Sequence, residues 1–202
     1  MADPKRNRDG IFPEFVLFDC HACHHPMSNL RWQPRASTGL GPGLPRVTDA
    51  NLIMLRVITA QIDPETAKVL RERSLALHRA STEGPDAMVS AAKGLKEIAD
   101  KLVGAFAKHN FGRTEMQGLM NGLISEGLAG EYVDYAAAEQ TTMAMSALIS
   151  AMQQSGLVNE AQVKSMNAAL EKLYASVAKD EDYKPATFTA ALQDFQSAAP
   201  KF

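Results

Sequence analysis

Residues 17–27 read LFDCHACHHPM. This stretch holds both cysteines of the chain, Cys20 and Cys23, and three of its five histidines, His21, His24 and His25. The pattern Cys20-x-x-Cys23-His24 has the spacing that attaches a c-type haem. Two thiols three positions apart on one turn can each form a thioether with one vinyl group of a porphyrin. The next residue, His24, then sits beneath the iron as an axial ligand. Its second ring nitrogen is expected to donate to a carbonyl or water, which fixes the tautomer.

Other chemistries share these residue types. A structural zinc site needs four ligands. Cys20, Cys23 and either His24 or His25 supply three, so His78 or His109 would have to complete it without a familiar spacing. A dithiol redox centre expects its CxxC at a strand-to-helix junction in a βαβ fold, whereas the rest of this chain reads helical. Two buried structural thiols are the bland reading, against which stands the placement of all the cysteine on one turn. With a single CxxC pair there is no disulfide framework.

The sixth iron ligand would come from the opposite face of the ring. Met27 follows too closely on the same turn, and His25 points away from His24. His78 and His109 remain, with His78 preferred because it is nearer in sequence; each is also readable as an ordinary capping or surface histidine. Met54, Met143 and Met145 stand behind them. Arg31, Arg35 and Arg46 border a loop rich in proline and glycine, where they could pair with haem propionates or stay solvated. Trp32 could pack on a porphyrin edge or anchor that loop. Residues 134–140, DYAAAEQ, show no catalytic spacing of carboxylates, and Asp134 and Glu139 read as helix-surface residues.

The stretch FDCHACHHPM, followed by NLRWQPR, resembles the CxxCHH haem sites of bacterial multihaem cytochromes c over residues 11–46. Phe18 and Asp19 stand where such proteins carry an aromatic residue and an aspartate, and His25 stands in the place of their second histidine. The resemblance implies one covalent haem c, electron transfer, and an extracytoplasmic or periplasmic location. It implies a redox partner protein or a neighbouring haem domain as partner. In the resembling proteins a histidine like His25 contacts or ligates a neighbouring haem. This chain departs from the pattern in having one motif rather than several. The start, MADPKRNRDG, lacks the apolar run of a secretory signal, so the reading includes the terminal part of a larger multihaem cytochrome, or a domain of a multihaem oxidoreductase. A zinc-stabilised helical interaction module is the reading from a different class.

Composition frames these possibilities. The chain has 202 residues, enough for a sizeable core. Its net charge of −2 gives no general reason to expect nucleic acid or an anionic membrane as partner. No stretch reaches transmembrane length. The fold class expected is mainly α: an irregular haem-attachment segment, residues 1–46, packed on an antiparallel helical bundle, residues 47–202. Residues 11–19 are expected to be extended, and 33–47 an ordered loop full of breakers. Helical periodicity then fills 47–62, 63–81, 85–112, 113–130, 131–156, 160–180 and 186–199. Asp49 or Thr48, Asp63 with Pro64, and Asn159 are expected caps, and Gly112 an expected stop. The methionines suit a helical core.

Overall fold

The computed structural model describes residues 1–2, 14–19 and 33–200. Seven α-helices account for most of these: α1 Ala50–Ala60, α2 Pro64–Ala80, α3 Pro85–Phe106, α4 Arg113–Leu128, α5 Tyr135–Gln154, α6 Glu160–Ser176 and α7 Pro185–Ala198. No β-strand occurs among the described residues; one isolated antiparallel bridge joins Phe18 to Val47. The mainly helical class is therefore as expected. The chain divides into two compact units, residues 1–110 and 111–202. The expected boundary at residue 46 falls inside the first of them.

The expected caps account for several helix starts. The Asp63 carboxylate accepts from Thr66 N at 3.0 Å and from Thr66 Oγ1 at 2.6 Å, and Pro64 occupies the first helical position. These bonds to Thr66 hold the Asp63 carboxyl below its usual range. Asn159 and Gln162 form a reciprocal capping box at 2.9 Å in each direction. Gly112 differs from expectation. It does not stop α3, which ends at Phe106; it opens α4, with its N–H donating to the Glu115 carboxylate at 2.9 Å. Beyond Phe106, Ala107 still bonds to the Val103 carbonyl, but Lys108 and His109 bond only three residues back, to Ala105 and Phe106. The last turn thus tightens and stops.

In the first unit α2 packs against both α1 and α3. Val47, Leu70, Leu77, Met88, Leu95 and Leu102 form its core. The loop before α1 is ordered, as its glycines and prolines suggested. Thr38 is fully buried and turns the chain back through Oγ1 onto the Arg35 carbonyl at 2.9 Å. Gly39 has φ +63°, and a Cβ there would meet the Leu75 side chain at 3.4 Å, so the loop lies against α2. Residues 14–19 are only partly extended: Phe15–Leu17 make a 3-10 turn before the bridge at Phe18.

In the second unit α4 packs on α5 and α7, and α6 packs on α5 and α7, so four helices close on themselves. Met120, Met145, Met152 and Met166 are completely buried with Leu173, Phe188, Leu192 and Phe195. The methionines here fill core volume, as expected, and Met145 is enclosed in that core. Tyr132 sits edge-on to Phe188, and its hydroxyl donates to the Leu123 carbonyl at 2.8 Å. Gly127 makes this junction: a Cβ there would overlap Leu192 Cδ2 and come within 2.7 Å of the Tyr132 ring. Gly127→Ala should therefore destabilise the protein by about 1–3 kcal/mol, despite alanine's better helix propensity. Urea unfolding of the variant checks this, and a rise in stability would overturn the packing account.

Candidate functional site

Cys20, Cys23, His24, His25, Met27, Arg31 and Trp32 lie outside the described residues. The structure does show what receives the chain on each side of them. The Asp19 N–H donates to the Arg46 carbonyl at 2.9 Å, and the Thr48 N–H donates to the Leu17 carbonyl at 2.9 Å. Together with the Phe18–Val47 bridge, these bonds seat residues 17–19 against 46–48. On the far side, the Arg46 guanidinium donates to the Gln33 carbonyl. Both flanks of the cysteine segment are thus held on the first unit next to the start of α1.

Immediately beyond Arg46 lies a buried ion cluster. Asp49 was expected as a helix cap, and its backbone does serve α1, accepting from Leu52 N at 2.8 Å and Ile53 N at 3.1 Å. Its carboxylate makes no cap bond. Instead Oδ1 and Oδ2 accept from Arg35 Nη1 and Nη2, both at 2.8 Å, in a bidentate pair. Oδ2 also accepts from His78 Nε2 at 3.0 Å. All three side chains are almost wholly enclosed, with 1% exposure for those of Arg35 and His78 and 4% for that of Asp49. Burial works against ionisation of Asp49. The hydrogen bond from His78 and the charge and hydrogen bonds of Arg35 outweigh it and hold the carboxyl far below the usual range. An ionised Asp49 can only accept, so Nε2 of His78 carries the hydrogen.

Each member of this cluster had been singled out in the sequence for a different task. Arg35 is not a solvated surface residue, and its two terminal nitrogens are engaged by Asp49. His78 is not a surface or capping histidine. Nδ1 is the ring nitrogen it has left for another partner, and that atom is buried without one among the described residues. His109 falls beyond the end of α3 and is half-buried. The fourth candidate, Arg46, is buried as well. Among the described residues no group of three or more His, Cys, Asp or Glu is placed to hold a metal ion. None of their helices is long and apolar enough to cross a membrane.

Residues 131–140 contain a second polar group, in the other unit. Glu139 is exposed as expected, but Asp134 is buried, near enough to Tyr183 for its charge to act on that phenol. Tyr135 donates to Glu139 Oε1 at 2.8 Å, and its hydroxyl oxygen lies 3.2 Å from the Val177 carbonyl. The bond to Glu139 pushes its phenol up to about 12. Tyr183 is buried on the Tyr132 carbonyl, and burial raises its phenol well above the ordinary value. These groups tie α5 to the chain around Asp180–Asp182 and α7.

The cysteine segment supplies two thiols and adjacent imidazoles, a donor set that suits covalent haem. No family model, curated protein or solved structure matches the chain.

The cluster has a pH signature. Because the folded-state carboxyl of Asp49 lies below its ordinary value, its contribution to stability is complete above about pH 4–5 and is lost as the pH falls towards the lowered folded value. Asp49→Asn should lose about 3–5 kcal/mol near neutral pH, since Arg35 is then buried without its counter-charge. It should also lose part of the decline in stability between pH 5 and 3. Urea unfolding of both proteins across that range is the check; parallel curves would show that the ion cluster does not set the acid limb.

Proposed function

We propose that this chain carries one c-type haem, bound covalently through Cys20 and Cys23 with His24 as an axial ligand, and that it transfers electrons. The observation that carries the reading is the complete C-x-x-C-H spacing in a chain that places its only cysteines there. The bound haem would supply a one-electron couple. The protein's part is to hold the thiols and His24 as one unit and to shield the group. The seating of both flanks of the segment on the first unit supports this, because a covalent cofactor needs a fixed mount. Among the arginines, Arg31 is the one assigned to a propionate, while Arg35 acts through Asp49.

Two further histidines would be candidates for a second bond to the iron. His78 would bind through Nδ1, with Asp49 orienting the ring from the other side in the manner common for metal-ligating histidines. His109 is the alternative, beyond the end of α3 and half-buried. The reading includes an extracytoplasmic location, where haem is attached to exported thiols, and a redox partner protein or neighbouring haem domain.

The test is a reduced pyridine haemochrome spectrum together with intact mass, on protein produced with an export signal and a haem-attachment system. The expected result is one haem per chain, retained on denaturation and lost in the Cys20→Ala, Cys23→Ala double variant. A chain whose two thiols remain free to alkylate, or hold zinc, would overturn the reading.

A further inference from the structure

We infer that Met143 is a reversible surface modification site: a peroxide-class oxidant converts its thioether to the sulfoxide in the folded protein, while the core methionines of the second unit stay protected. The inference is independent of the haem reading. Met143 lies on α5 and is 58% exposed. Among the described methionines it alone is exposed. Met120, Met145, Met152 and Met166 stand at 0% and Met88 at 1%. Met1 is half-buried and packs on the core of the first unit, and Met54 is half-buried in α1. Met116 is also half-buried, with its sulfur 3.9 Å from the Ser155 hydroxyl oxygen.

Helix geometry separates Met143 from Met145. Residues two positions apart lie roughly 200° apart around an α-helix, so one points out when the other points into the core. The neighbours of Met143 one turn away are Glu139 and Gln140 before it, and Ser146 and Ala147 after it. The last two are small, which leaves the sulfur open to approach from that side. Oxidation needs only a sulfur lone pair and an oxidant that can reach it. The sulfur attacks one oxygen of hydrogen peroxide. An S–O bond forms, the O–O bond breaks, and the other oxygen leaves as water. Sulfur gives up two electrons and the peroxide takes them. Two thiols reverse the step: they supply two electrons, become a disulfide, and the oxygen leaves as water. The sulfoxide is polar and chiral. At an exposed position water solvates it, whereas at Met145 or Met152 the same change would bury an S–O dipole in an apolar core. Helix α5 thus carries one methionine that can be modified with the fold intact and two that cannot.

The test treats the folded full-length chain with dilute hydrogen peroxide. Fragmentation mass spectrometry follows the added oxygen at each methionine over time, so oxidation at Cys20 or Cys23 does not enter the readout. Met143 is expected to oxidise at least about tenfold faster than Met120, Met145, Met152 and Met166, and ahead of Met54 and Met116. Met143→Leu should take up no oxygen in α5 on the same timescale. The protein oxidised only at Met143 should melt within about 2 °C of the unmodified one. Met143→Gln, which places a polar group of similar length there, should behave alike. Methionine sulfoxide reductases for both epimers, with dithiothreitol as the thiol source, should clear the oxygen from residue 143 without denaturant. Three results would each overturn the inference. They are oxidation of Met145 or Met152 at a rate near that of Met143, a fall of several degrees in melting temperature on oxidation of Met143 alone, and a sulfoxide that the reductases reach only after unfolding.

Discussion

The Asp49 carboxylate is removed from water almost completely, and an isolated charge there would cost several kcal/mol. Its compensation comes from chain segments far apart in sequence: Arg35 in the loop before α1 and His78 near the end of α2. Removing either leaves the buried Asp49 carboxylate short of a partner. The loop, the start of α1 and the end of α2 therefore have to be placed together. Arg46 and Val47 lie three and two residues upstream of Asp49, so the seating of residues 17–19 follows from the same arrangement. An apolar trio of similar volume could have closed the space with comparable stability. The charged one fixes direction as well, because the bidentate pair accepts only one orientation of the guanidinium.

The two units use different means to the same end. The second is held by methionine, leucine and phenylalanine from four helices, and its buried hydroxyls mostly donate to nearby carbonyls. Tyr132, Tyr183 and Thr142 are of this kind. The first has a smaller set of helices and mixes an apolar core with buried ionic groups beside the cysteine segment. Buried carboxylates occur in both units, Asp49 in the first and Glu131 and Asp134 in the second. The cysteine motif is the reason for the proposal, and the ionic cluster and the Arg46 contacts are what a fixed mount for it would require.

Much of the helical architecture was legible in the sequence, because helix periodicity and caps are local. Asp63-Pro64 and Asn159 announced their helices, and the loop at 33–47 announced itself by its prolines and glycines. The miss at Gly112 is also local in origin: glycine suits a helix stop and a helix start alike, and only Glu115 three residues later distinguished the two. The ion cluster could not be read in the same way. Arg35, Asp49 and His78 are 14 and 29 residues apart across the two bonds, and no spacing rule links a loop arginine to a cap aspartate and a helix histidine. The chemical character of each residue was visible; their meeting was not. The burial of Asp134 escaped for a related reason: Tyr183, the phenol that feels its charge, comes from much further along the chain.

The separation of those partners bears on how the first unit comes into being. Its helices are built from neighbours three and four residues apart and can form within microseconds. The Asp49 contacts and the meeting of Asp19 with Arg46 require longer stretches of chain to close, and the entropy of closure falls on the transition state rather than on the helices. Helix formation should then run ahead of the seating of the N-terminal strand of chain. The slow step of the first unit is then the joining of segments distant in sequence rather than the winding of any one helix.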